Sequence, residues 1–94
     1  MSTSKTYTLR GRLDGTTSAA TEQALLALLD EDEVTLDVQL SELDYVSSAG
    51  LRILLVVAKA AKARKGKLVL HAPKPAIFEV FKISGFDRII AIAP

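Results

Sequence analysis

Two serines, Ser47 and Ser48, stand directly before Ala49-Gly50 and a run of residues that is mostly apolar through Ala61. A hydroxyl at the mouth of such a segment has two physical uses. It can cap a helix by accepting a free backbone N–H of the first turn, which is worth about 1 kcal/mol, and the pattern puts Ser48 at that cap. It can also accept a phosphoryl group, which carries about −1.5 to −2 charges and is tolerated at the positive end of a helix. Gly50 falls within the same first turn. Glycine inside a helix costs up to roughly 1 kcal/mol relative to alanine. Its presence implies a helix N-terminus left bare, so that another backbone or a bulky group can come close.

Few other residues offer chemistry. His71 is the one histidine. It falls at a strand end on the polar side, with no acid pair in sequence to orient it as a base and no second ligand to make a metal site. Asp30-Glu31-Asp32-Glu33 reads as a solvated turn. Asp14 lies just past a strand end, where parallel sheets present functional groups, and also where a carboxylate caps the helix that follows. Cysteine is absent, which removes disulfides, thiolate nucleophiles and cysteine metal sites. The turn after the first strand reads Asp14-Gly15-Thr16-Thr17-Ser18 and lacks both phosphate-loop patterns, GxGxxG and GxxxxGKS/T. No base, metal set or cofactor loop supports an enzyme, and no cofactor is implied.

The elements that must position these residues follow from periodicity. Lys5–Leu13 alternates as a strand with one buried face, interrupted by Gly11, which suggests a bulge or a close approach. Thr16 or Thr17 caps a helix over Ser18–Leu29, with Ala20, Ala24, Leu25, Leu28 and Leu29 as its buried stripe. Val34–Leu40 is a second alternating strand, and Ser41–Val46 connects it to a helix over Ala49–Lys65 that ends in a glycine cap at Gly66. A third strand covers Lys67–His71. Pro75–Ser84 is a third helix, ended by Gly85, and Arg88–Ala93 is a last strand. This order, βαβαβαβ, implies an α/β fold with a mostly parallel four-stranded sheet. A sheet covered on both sides has strands apolar on both faces. These strands are half polar, so the helices lie mainly on one face.

A chain of 94 residues fits one domain, residues 1–94, with a single core. Met1-Ser2-Thr3-Ser4 leads straight into a polar strand with no signal peptide. The apolar stretch Ile53–Ala61 is far shorter than the roughly 20 residues of a membrane span. A cytoplasmic protein without membrane insertion is expected. The net charge is only +1, yet every charge from Asp14 to Asp44 is acidic and every charge from Arg52 to Lys74 is basic. The basic residues do not interleave with stacking aromatics, so solvated helix faces are favoured over direct nucleic-acid binding. On the second helix, Leu51, Leu54, Val57, Ala58 and Ala61 face the sheet. Arg52, Val56, Lys59 and Ala63 project away, leaving an apolar spot between two cations as a docking surface.

The stretch LSELDYVSSAGLRILL, with LRGRLDGTTS before it, resembles the STAS domain, the fold of bacterial anti-sigma factor antagonists and of sulfate-transporter C-terminal domains. The likeness runs from about Tyr7 to Ile92 and is strongest over Tyr45–Arg52; Gly11-Arg12-Leu13-Asp14 is similar to the family's G-x-L-D turn. The resemblance implies a partner-switching cycle. The unphosphorylated domain binds an anti-sigma factor that is also a serine kinase, the kinase phosphorylates Ser48, the complex separates, and a cognate phosphatase resets it. From the resemblance together with the helix wheel and the strand-end position of Asp14, the expected partner-binding surface comprises Asp14, Ser47, Ser48, Ala49, Gly50, Arg52, Val56 and Lys59. The alternative is a constitutively docked STAS subunit of a lipid- or anion-transport complex. Ser47 stands where the family often has aspartate before the phosphoserine, which makes it an alternative acceptor, and Gln39 stands where a strand aspartate is common. The ends are short relative to the family, which often has a further strand before and a helix after. An exposed sheet edge or apolar patch is the expected consequence, which would favour either self-association as a homodimer or a partner. A weakly held nucleotide near Asp14 and Ser48 is compatible with the pattern but not required by it.

Overall fold

The computed structural model describes residues 3–94. Four strands, β1 (Thr3–Leu13), β2 (Val34–Val46), β3 (Lys67–His71) and β4 (Ala91–Ala93), alternate with three helices, α1 (Ser18–Leu28), α2 (Ser48–Ala63) and α3 (Pro75–Ile83). All strand pairs are parallel and the spatial order is β1-β2-β3-β4. The three crossovers therefore step in one direction, and right-handed connections then stack all three helices on one face. Burial agrees. Leu36, Val38, Leu40, Leu68 and Leu70 are buried in one core with Leu54 and Val57 of α2 and Phe81 of α3. Thr35, Asp37, Gln39, Val69 and His71, on the opposite face, are only half-buried. The half-polar alternation of the strands thus marks an open sheet face, and β1 lies at a sheet edge among the described residues.

Strand β2 runs six residues beyond the expected end at Leu40. The register explains why alternation concealed this. Thr8 pairs with Gln39 but Arg10 with Glu42; Gly11 pairs with Leu43 but Arg12 with Tyr45. Twice β2 contributes an extra residue, and each bulge flips the side-chain parity. The inward residues become Leu40, Leu43 and Val46, all buried, in a spacing of three that reads as irregular. The slip at Gly11, whose φ is 71°, is the bulge its position suggested.

The other boundaries shift for local reasons. At the end of α2 it is Lys65, not Gly66, that takes the left-handed conformation, with φ 63°. Lys65 and Gly66 donate their N–H groups to Lys62 and Ala61 at 3.0 and 2.8 Å, the paired bonds of a Schellman cap. Residues 86–90 are not strand. Gly85 turns the chain with φ 78°, Phe86–Arg88 forms a 3₁₀ turn, and the ring of Phe86 stacks on Phe81 with centroids 5.7 Å apart. That buried stacking holds the segment in a turn and leaves only Ala91–Ala93 to pair with β3. On α1 the stripe is narrower than expected, since Ala20 is exposed. On α2, Ile53 joins the buried set.

Candidate functional site

The C-terminal ends of β1 and β2 lie side by side, with Leu13 paired to Val46. Just beyond them the chain turns into α1 on one side and α2 on the other. The topology therefore brings Asp14, Ser47 and Ser48 to one end of the sheet, as expected for groups past parallel strand ends.

The two serines divide the roles that sequence assigned to one of them. The N–H of Ser47 still continues the ladder, donating to the carbonyl of Leu13 at 2.9 Å. Ser47 is therefore the last extended residue (φ −96°, ψ 176°) and is itself the N-cap, its Oγ accepting the N–H of Gly50 at 3.2 Å. Ser48, expected at the cap, is instead the first helical residue. Its side chain is exposed and makes no hydrogen bond among the described residues. The helix thus begins one residue earlier than the pattern suggested, directly after Ser47, the extended residue that closes the ladder between β2 and β1.

Of the two groups that Gly50 was expected to admit, the structure shows another backbone, that of Leu13. Gly50 itself is buried, so it offers a partner no surface. A Cβ at this position would lie 2.5 Å from the carbonyl oxygen of Leu13 and 2.9 Å from Cγ2 of Val46. The close approach that the glycine permits is internal: it seats the first turn of α2 on the ends of β1 and β2.

Asp14 is the hub of the facing turn. Its Oδ1 accepts the hydroxyl of Thr16 at 2.7 Å and the N–H of Thr16 at 2.9 Å, while Oδ2 accepts Nε of Arg12 at 3.0 Å. The Thr16 hydroxyl first, then the Thr16 N–H and Arg12, all favour the carboxylate and lower its pKa to about 2. Thr17 occupies the N-cap position of α1, but its hydroxyl serves the turn: it accepts the N–H of Asp14 and donates to the carbonyl of Arg12, both at 2.9 Å. Asp14 is therefore a fully engaged turn anchor. The guanidinium of Arg12 lies 4.2 Å from the centre of the Tyr45 ring, and Tyr45 is 42% exposed. This stacked pair beside the serines was not legible in sequence, because the register that sets Arg12 opposite Tyr45 depends on the bulges.

Ala49 is half-buried. Arg52, Val56 and Lys59 are all exposed and follow Ser48 at intervals of four, four and three, which aligns them along one face of α2. Val56 is 39% exposed between the two cations. The helix contains no acidic residue. One pair on the open sheet face also escaped the sequence: His71 Nε2 lies 2.7 Å from Oδ1 of Asp37 on the neighbouring strand. Their 34-residue separation hid the contact until β2 and β3 were paired. Among the described residues no group of His, Asp and Glu could hold a metal ion, and no helix is long and apolar enough to cross a membrane.

Comparison with known proteins agrees with this architecture. The family model described as "Mlab, STAS domain" matches residues 3–92. The curated protein "Putative anti-sigma factor antagonist BtrV" of Bordetella bronchiseptica is 42% identical over 85 residues, covering 90% of this chain and 73% of the relative. The solved structure of an anti-sigma factor antagonist from Mycobacterium paratuberculosis superposes with a TM-score of 0.85 at 25% identity, covering 97% of this chain and 77% of that one. The antagonist SpoIIAA in its unphosphorylated form gives 0.81 at 21% identity, covering 100% and 83%. By sequence and by fold, the chain belongs to the STAS domain family, among the anti-sigma factor antagonists.

Proposed function

We propose that this chain is a phosphorylation-gated binding module. With Ser48 unmodified it binds an anti-sigma factor that is also a serine kinase, and with Ser48 phosphorylated it lets that partner go. In the transfer, the γ-phosphorus of ATP forms a bond to Ser48 Oγ as its bond to the ADP oxygen breaks, and the hydroxyl proton passes to a base on the kinase. The chain is substrate and ligand, not enzyme. A cognate phosphatase hydrolyses the phosphoserine and restores the binding form. The cycle runs in the cytoplasm, within the single domain formed by residues 1–94, and does not require the weakly held nucleotide that the pattern near Asp14 and Ser48 would allow.

The observation that carries this reading is the division of labour at the start of α2. Ser47 is spent on the cap, whereas Ser48 is exposed and uncommitted at the head of the Arg52–Val56–Lys59 face. A phosphoryl group there leaves the cap and core untouched and adds its charge where a partner would dock. Asp14 supports the adjacent turn, and Ala49 lies at the margin of the surface.

The test is intact-mass spectrometry of the protein incubated with ATP and candidate anti-sigma kinases of its source organism, with Ser48→Ala in parallel. One added phosphate that disappears in Ser48→Ala supports the switch. A phosphate that persists moves the acceptor to Ser47 or elsewhere. A stable complex without phosphorylation by any candidate replaces this reading with a constitutively docked subunit of a lipid- or anion-transport complex.

A further inference from the structure

Resting on the reading that Ser48 is the modified residue, we infer that Arg52 is the internal ion-pair partner of the phosphorylated Ser48, so that phosphorylation withdraws a cation from the docking face as it adds a dianion. Ser48 is the first residue of α2 and Arg52 lies four residues on, both exposed. Side chains at this spacing are neighbours, with Cβ atoms about 5–6 Å apart, and the acid-before-base order is the favourable one.

Arg52 is free to respond. Arg10, Arg12 and Arg64 are bonded to Glu42, Asp14 and Asp32 at 3.1, 3.0 and 3.2 Å. Arg52 makes no ion pair or side-chain hydrogen bond among the described residues, and α2 supplies no acid that could compete for it. Other cations are poorly placed. Lys59 is eleven residues from Ser48, about 16 Å along the helix axis at 1.5 Å per residue. Arg12 is held by Asp14 and the Tyr45 ring. A phosphoryl group on Ser47 would not be equivalently placed for Arg52, because the Ser47 oxygen is aimed at the Gly50 N–H and stands five residues away.

The guanidinium is built for this contact, since its planar fork can bond two phosphoryl oxygens at once. In the unmodified protein Arg52 is available to a carboxylate, so the partner surface that fits here is acidic around an apolar centre that meets Val56. After phosphorylation the same guanidinium is folded back onto its own helix. One covalent event thus changes two charges of the docking face.

The test installs phosphoserine at position 48 by genetic encoding, so that no kinase is needed, and follows its second ionisation by ³¹P NMR titration. The chain with Arg52 is compared with Arg52→Gln and Arg52→Lys. With Gln the second pKa should sit near the ordinary value of about 6. With Arg it should be lower by about half a unit. Lys should fall between, as a point charge without the fork. The gap should narrow in 1 M salt, where the Debye length is about 3 Å. Equal pKa values for the Arg and Gln forms overturn the inference whatever any kinase does. Failure of every kinase to modify Ser48 overturns the functional reading and leaves the titration result standing.

Discussion

The carbonyl oxygen of Leu13, the last residue of β1, accepts the N–H of Ser47, the residue that caps α2, at 2.9 Å. This single bond joins the edge strand to the start of the helix that carries the docking face. The same oxygen would lie 2.5 Å from a Cβ at position 50, so the helix can sit this close only with glycine in its first turn.

Gly50→Ala consequently has an outcome opposite to helix propensity. Propensity alone favours Ala by roughly 1 kcal/mol. The added methyl meets backbone, which cannot rotate away, and overpacking of this kind costs about 1–3 kcal/mol. Urea denaturation should show a net loss of stability. A gain would mean that α2 can shift away from Leu13 at little cost.

The two serines should separate in stability measurements. Ser47→Ala removes the cap and should cost about 1 kcal/mol. Ser48→Ala removes an exposed hydroxyl without a partner and should stay within about 0.5 kcal/mol of the native chain. The second variant should nonetheless be the one that loses the phosphate. Equal destabilisation by both would contradict the assignment of the cap to Ser47.

Asp14 should titrate near 2, against 3.8 for an ordinary aspartate. A carboxylate whose folded pKa is depressed contributes stability that is fully present above the unfolded value and is lost as pH falls towards the folded one. The contribution should therefore fade between about 3.8 and about 2. A ¹³C titration of the Asp14 carboxyl checks the value. Acid unfolding of Asp14→Asn, which has no such group, should lack this part of the pH dependence. A titration near 4 would show that the Thr16 and Arg12 bonds do not hold in solution.

The exposed face of α2 should matter for binding and not for folding. Lys59→Glu exchanges two good helix formers on an exposed surface, so its melting curve should overlay that of the native chain. Its association with the anti-sigma partner should slow, and the difference should shrink as salt rises. An association rate unchanged at low salt would remove Lys59 from the interface.

Much of this protein follows from local pattern. Alternating apolar residues at Val34, Leu36, Val38 and Leu40, and the helical spacing of Leu54, Val57 and Ala61, specify their elements because burial of one face is a local, periodic demand. The half-polar strands also announced the open sheet face. The motif around Ser48 and the exposure of Arg52, Val56 and Lys59 were legible for the same reason. What tertiary structure decided depends on partners distant in sequence. The bulges in β2 exist only in its pairing with β1, and it is the ladder bond from Ser47 to Leu13 that holds Ser47, not Ser48, as the extended cap residue. The reason for Gly50 is the carbonyl of Leu13, 37 residues earlier in the chain. The segregated charges are matched only in space, where Asp30 meets Lys5, Asp32 meets Arg64 and Asp44 meets Lys74. Period reports which face is buried; register and close approach arise between elements, and they determined which of two adjacent serines is left free.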